Sequence, residues 1–371
     1  MKYILVLYAF IVVSFTVFSY LFIDPNFTPL AHIFSGFAYT QRLSVTIIYI
    51  ACIVLFFIFY FYVLAMFKKK AFDYKKLTII ILISSILVFS YPTVLSYDIF
   101  NYIATAKVTY LYFENPYLVM PIEFVGDPML LYTRAANKFA LYGPGWISLT
   151  ALPYYASFSS VIAQLFLFKF FVGIFYAALT YIIYKISKNM LVTAVFALNP
   201  LVLIETFVSG HNDVIMMFFA MFGILCLKEK KVLLSFIFLI LSISIKFATV
   251  FLIPIWIYIL LKRYRKEEIK WNTVWMIGLV SMTAIFAISP IREEMYPWYF
   301  IWLLPFAALV NTRRITLFAI SFSAGLLLYY TPYMYTGYYL LSIKFLIVIF
   351  VSLLLFMFGM VLQRIKKIWD F

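Results

Sequence analysis

Uninterrupted apolar runs of about 20 residues recur from one end of this sequence to the other, each long enough to cross a ~30 Å hydrocarbon layer as a helix. In lipid, only helices and closed barrels keep every backbone polar group hydrogen-bonded. A barrel is written in segments of about ten residues with alternating polarity, whereas these runs are continuous. The chain therefore reads as an all-α polytopic membrane protein. Of its 371 residues 66% are apolar and 12% charged, against about 45–50% and about 25% in soluble domains, and mean hydropathy is +1.05. Disordered, collagen-like and secreted disulfide-rich chains are excluded by the same numbers. The expected spans are 3–23, 44–67, 77–95, 158–184, 190–208, 213–227, 231–246, 247–261, 271–290, 298–311, 315–331 and 339–362. That is about twelve transmembrane helices at one helix per apolar run. The chain reads as a single integral membrane domain, 1–371, with no soluble domain.

A net charge of +15 invites a nucleic-acid reading, but the placement of the basic residues excludes it. They cluster between apolar runs: Lys68-Lys69-Lys70 with Lys75-Lys76, Lys185 with Lys188, Lys228-Lys230-Lys231, Lys262 through Lys270, Arg313-Arg314, and Arg364 with Lys366-Lys367. These fall in every second connection, which the positive-inside rule requires if both termini are cytoplasmic. The clusters are topology determinants that also touch anionic membrane lipid. The opposite connections, 24–43, 96–157, 208–212, 291–297 and 332–338, are then non-cytoplasmic. Most of the fourteen acids collect on that side, among them Asp24, Asp98, Glu114, Glu123, Asp127, Asp213, Glu293 and Glu294, with Glu205 in the upper half of a span. Topology does not demand acids there, so chemistry is expected there.

Cys52 and Cys226 fall in separate spans and give neither a disulfide framework nor a metal site. The N-terminal apolar run lacks a small-residue cleavage site and reads as a first span. An aromatic share of 22% singles out no site, because interfacial belts and overall composition both supply aromatics.

The longest non-cytoplasmic segment, 96–157, far exceeds the ~4–6 residues of a median loop. Phe100, Ile103, Ala104, Val108 and Leu111 recur at helical spacing with polar residues between them, which predicts a helix lying on the bilayer surface. Asn115-Pro116-Tyr117 is expected to end it, and Gly143-Pro144-Gly145 forces a second turn. Asp98 sits at the mouth of a span, where the polar head of a lipid-linked substrate would lie. Its carboxylate either serves as a general base or caps the surface helix. Asn101 and Tyr102, three and four residues on, share its helical face. His211-Asn212-Asp213 closes a later span on the same side, as a costly polar group or an ordinary turn; His32 has no visible partner for metal binding. Asn199-Pro200 breaks the preceding span. Lys246, Arg292 and Lys344 either hold a phosphate or snorkel, and Pro297 through Trp302 is either an aromatic belt or a stacking surface for a sugar.

Taken in order, Tyr97-Asp98 with Tyr102, Asn115-Pro116-Tyr117, Tyr142-Gly143-Pro144, Asn199-Pro200, Gly210-His211-Asn212-Asp213, Lys246 with Pro254, and Pro297-Trp298-Tyr299 with Trp302 and Pro305 resemble the GT-C glycosyltransferases. The resemblance covers roughly 90–305. It is closest to the polyprenyl-phosphate-mannose-dependent α-mannosyltransferases of bacteria and archaea and to the catalytic subunit of the first GPI mannosyltransferase. The resemblance implies a large first non-cytoplasmic loop with surface helices and a polyprenyl-phosphate-sugar donor. It also implies a lipid-linked or glycan acceptor and an inverting transfer of a hexose, mannose by resemblance, with Asp98 as the base. Lys246 or Arg292 would neutralise the leaving phosphate. Asn101, Tyr102, Lys107, Tyr142, His211, Asn212, Asp213, Tyr299 and Trp302 would line the substrate pocket. Where many relatives have a doubled acid this chain has Tyr97-Asp98, so a metal-free reaction with no cofactor is expected. The competing readings are a secondary transporter, which would carry related halves and paired midplane charges, and a polysaccharide polymerase or ligase of the cell envelope.

Overall fold

The computed structural model describes residues 2–24, 27, 29–30, 36–292 and 294–366. His32, Glu293 and Lys367 lie outside the described residues, as do the side chains of Lys2, Arg292, Arg364 and Lys366. Among the described residues the regular elements are all helical. Those used below are α1 (Lys2–Ser19), α2 (Arg42–Lys68), α3 (Tyr74–Ser84), α4 (Asp98–Tyr110), α5 (Pro144–Ala156), α6 (Val161–Ser187), α7 (Met190–Ala197), α8 (Pro200–Leu203), α9 (Asp213–Lys228), α10 (Val232–Ile245), α11 (Ile253–Tyr264), α12 (Trp271–Arg292), α13 (Leu304–Val310), α14 (Arg313–Leu327), α15 (Thr331–Thr336) and α16 (Leu341–Lys366).

Among the described residues, seven segments are long and apolar enough to cross a membrane: Tyr3–Phe22, Arg42–Lys68, Val161–Ser187, Phe247–Tyr264, Trp271–Ile291, Arg313–Thr336 and Leu341–Leu362. The pair Met190–Ala197 and Pro200–Val208, bent by 54°, supplies an eighth if it is taken as one span. Where the sequence predicts about twelve spans, seven or eight of the described segments are long and apolar enough to be one. The other expected spans fall on shorter elements, for physical reasons. Residues 77–95 leave α-geometry after Ser84 and tighten into 3-10 turns over Ser85–Phe89 and Pro92–Val94. Residues 298–311 begin as a 3-10 turn, Pro297–Trp302, before α13. The helices α9 and α10, of 16 and 14 residues, pack against each other as a hairpin, joined at the lysine-rich end by residues 229–231.

The break at Asn199-Pro200 is where the sequence predicts it. Proline lacks the N–H that would continue the ladder, and the Asn199 carboxamide takes over: its Oδ1 accepts from the Leu201 N–H at 3.0 Å and its Nδ2 donates to Ser323 Oγ at 3.0 Å. Beyond α8 the chain widens into one π-helical turn, Ile204–Val208, a geometry concentrated at functional sites. It then reverses at Gly210, whose φ of +73° places it in the left-handed region. A side chain there would also meet the Lys169 stem at 2.9 Å.

The 96–157 segment departs from expectation in two respects. Its first helix, α4, does not lie on a surface with one wet face: Ile99 through Ala106 are all buried, because α5 and α6 pack against it and residues 112–143 fold back over it. It also ends at Tyr110, ahead of Asn115-Pro116, with Phe113 in a left-handed conformation, φ +56°. The Gly143 turn docks the segment on the bundle. Its N–H donates to the Ile245 carbonyl at 3.1 Å, and a Cβ at this position would sit 2.1 Å from the Ser244 carbonyl oxygen. Only glycine permits that approach, and it holds the loop against the residue preceding Lys246.

Candidate active site

A cavity of about 700 Å³ opens at the end of the bundle that carries 96–157. Among the described residues its charged lining is one carboxylate, Asp98, and five cations: Arg42, Arg134, Lys138, Lys246 and Lys344. Aromatic side chains, including Tyr142, Tyr296, Trp298, Tyr299 and Tyr330, supply most of the remaining wall. Polar groups converging in a concave site of this size are the usual setting for ligand binding.

Asp98 is the first residue of α4 rather than its cap, since Tyr97 holds the N-cap position. Its carboxylate is partly exposed to the cavity and accepts from Asn101 Nδ2 at 3.3 Å. Its other oxygen faces His211 Nδ1 at 3.6 Å. The imidazole is fully buried and stacks on Trp298, with ring centroids 3.9 Å apart. Its Nε2 faces Glu205 Oε2 at 3.4 Å, and Glu205 Oε1 accepts from the Tyr330 hydroxyl at 2.8 Å.

A second polar group lies beside this one. Lys246 donates to both oxygens of Asp213, at 2.9 and 2.8 Å, and Trp302 Nε1 donates to the same carboxylate at 2.6 Å. Asp213 is completely buried while Lys246 reaches the cavity. The Lys246 ammonium lies 5.2 Å from the centre of the Tyr299 ring, which in turn stacks on Trp302. Two of its three N–H donors are thus engaged and the third is available.

Of the residues predicted from sequence, the cavity brings together Asp98, Asn101, Tyr142, Lys246 and Tyr299. His211, Asn212, Asp213, Tyr102 and Trp302 are buried behind its wall, with Tyr102 packed edge-on against Tyr142 and Trp146. For Arg292, the backbone ends α12. Lys107 is not part of the lining: it pairs with Asp127 at 2.5 Å, and Tyr112 donates to the same carboxylate at 2.6 Å. Burial raises the Asp127 carboxyl, but the hydrogen bonds from Lys107, Tyr112 and the Met129 N–H outweigh it and hold it below its ordinary value. A carboxyl depressed in the folded state contributes stability that is complete above its unfolded value, about 3.9, and is lost as pH falls through the folded value. The 112–143 fold-back is therefore expected to become protease-sensitive below about pH 4 in wild type, and at neutral pH in Asp127→Asn. Equal digestion of the two proteins at pH 7 would contradict this clasp.

Sequence reasoning missed Arg42, the cluster Tyr329, Tyr330, Tyr333 and Tyr339, and the Asp24–Arg134 pair at 3.3 Å. The available signal was the tyrosine spacing over 329–339, hidden by an overall excess of aromatics. Lys344, left ambiguous by the sequence, pairs with Glu294 at 3.6 Å and lies over the Tyr329 and Tyr339 rings.

Comparison with known proteins adds the family. The chain is 25% identical to GPI mannosyltransferase 1 of Kluyveromyces lactis over 116 residues, which is 31% of this chain and 27% of that protein. The match thus spans about a quarter of the curated relative's length. No solved structure matches the chain. The family model described as alpha-(1->6)-mannopyranosyltransferase, N-terminal domain, matches residues 6–262. An acid-bearing cavity at one end of an apolar helical bundle and a match over most of its length together place this chain in the alpha-(1->6)-mannopyranosyltransferase family.

Proposed function

We propose that the protein is an inverting glycosyltransferase of the cell membrane. It moves a hexose, mannose by family, from a polyprenyl-phosphate-sugar donor to a lipid-linked or glycan acceptor at the non-cytoplasmic face. The observation that carries this reading is the cavity, where one carboxylate, Asp98, stands among cations and tyrosines. In the reaction, Asp98 accepts the proton of the acceptor hydroxyl as that oxygen bonds to C1 of the sugar. The C1–O bond to phosphate breaks with both electrons passing to the phosphate, and a single displacement inverts C1. Arg42 and Lys138, which have no carboxylate partner among the described residues, and the free N–H of Lys246 neutralise the phosphate, with Arg292 close in sequence to the same wall. Tyr142, Tyr299 and Asn101 contact the sugar. His211, Asn212, Asp213, Tyr102 and Trp302 hold that wall from behind, and Lys107 secures the loop over it.

Each short element is counted here as a crossing, making about twelve in a single membrane domain, with both termini cytoplasmic and 96–157 as the non-cytoplasmic loop carrying the acid. Both native cysteines are buried, so introduced ones can be read individually. A cysteine at Val125 should label from outside intact cells and one at Glu268 should not. The reverse pattern would overturn the topology and the proposed face together.

The test of function mixes purified protein in nanodiscs with a panel of radiolabelled polyprenyl-phosphate sugars and host lipid, scoring label in a new glycolipid. Label from one donor supports the reading and names the sugar. No transfer from any donor by folded protein sinks it and favours a transporter or polymerase.

A further inference from the structure

We infer that Asn101 is a positioning residue that ties the base to the fold-back of the 96–157 segment, holding a hydrogen-bond donor on Asp98 only while Ala135 is docked. Its consequence for catalysis rests on the glycosyltransferase reading above; the link itself rests on geometry.

Three observations carry it. Asn101 lies one helical turn beyond Asp98 on α4, and its side chain is buried. Its Oδ1 accepts from the Ala135 N–H at 3.1 Å, and its Nδ2 donates to Asp98 Oδ1 at 3.3 Å. Ala135 belongs to the fold-back, 34 positions along the chain, and is held on both sides. Arg134 pairs with Asp24 at 3.3 Å, and its guanidinium lies 4.3 Å from the centre of the Tyr97 ring. The Ala136 carbonyl accepts from the Ile122 N–H at 2.9 Å.

The chemistry follows from the asymmetry of a carboxamide. One end only accepts and the other only donates, and the surrounding hydrogen bonds decide which is which. A backbone N–H can only donate, so Ala135 takes the oxygen and leaves the NH₂ group facing Asp98. Turned over, the amide would set N–H against N–H at Ala135 and oxygen against oxygen at Asp98. A donor on a carboxylate favours the ionised form, which is the form a general base must have. With the fold-back undocked, Ala135 no longer chooses, and the amide can offer its oxygen to a protonated Asp98. The base is therefore ready only beneath a docked loop. This role is additional to the sugar contact proposed above, for which the carboxamide has a second Nδ2 hydrogen.

The other titratable groups near Asp98 are His211 at 3.6 Å, Glu205, Tyr102, Tyr142 and Tyr339, together with the cavity cations named above. None of them is altered in the variants below, so a difference from wild type reports the amide.

The test is the pH dependence of kcat/KM for wild type, Asn101→Asp and Ala135→Pro in nanodiscs, since its acidic limb reports the base of the free enzyme. Asn101→Asp keeps an acceptor for the Ala135 N–H but sets a second carboxylate against Asp98. Its acidic limb should move up by at least about one pH unit, a tenfold loss on the acid side that higher pH restores. Ala135→Pro keeps the amide and removes only the N–H that orients it, and its limb should move the same way. Loss of a sugar contact or of packing lowers kcat/KM equally at every pH. An unmoved limb in Asn101→Asp would overturn the contact with the base. A moved limb there and an unmoved one in Ala135→Pro would overturn the link to the loop. Should Ala135→Pro not purify as a folded protein, Ile122→Pro, at an exposed position, loosens the same turn in its place. Carbodiimide labelling of Asp98, which needs a protonated carboxyl, should show the same displacements by mass spectrometry without any transfer. If wild type transfers no sugar, the glycosyltransferase reading falls while the labelling still decides the link.

Discussion

Asp98→Asn is expected to reduce sugar transfer by about 10²–10⁴-fold, the usual contribution of a general base, with thermal stability close to wild type. The substitution keeps an oxygen that can accept the Asn101 hydrogen bond and removes the negative charge, and with it the ability to take up a proton. Because the side chain is partly exposed to the cavity, no buried charge is stranded. Label transfer and thermal unfolding, measured on the same preparation, check both halves. Full activity in the variant would remove Asp98 from the mechanism. A large loss of stability with proportionate loss of activity would make it a structural residue.

Lys246→Ala is expected to act first on stability. It leaves the Asp213 carboxylate fully buried with the Trp302 N–H as its remaining donor among the described residues, and breaking a buried ion pair typically costs about 3–5 kcal/mol. Asp213→Asn should cost less, because the Lys246 ammonium already reaches the cavity and can turn into it. The double variant Asp213→Asn/Lys246→Ala should be more stable than the sum of the single changes implies, since groups in contact are coupled by about 0.5–3 kcal/mol. Additivity across that cycle, measured by denaturation in a fixed detergent, would show that the two residues do not act as a pair.

The features legible in the sequence were those with local causes. Proline at 200 breaks a helix wherever the rest of the chain goes. Asp98 stood out because acids at span mouths are few. The partners were not legible. Nothing local tells Lys246 that its carboxylate is Asp213, 33 positions earlier, or sends Lys107 away from the cavity to Asp127. The apolar spacing of α4 correctly gave a helix but not its burial on all sides, because its cover comes from α5, α6 and residues 112–143 together. Glu205 and His211 oppose each other only because the backbone widens by one π turn between them, a geometry with no residue signature of its own.

The brevity of the α9–α10 hairpin has a further consequence. At 1.5 Å per residue, its 14-residue arm rises about 21 Å from the lysine-rich end, against a hydrocarbon layer of ~30 Å. On the proposed topology, Asp213 and Lys246 at its tip lie about 9 Å short of the far boundary, so that glycosidic bond formation is sunk beneath the headgroups. A thinner bilayer would bring headgroup water nearer that tip, while a thicker one would lengthen the descent of the sugar. On that topology, turnover is expected to depend on lipid chain length, acting through mismatch rather than through any residue of the site.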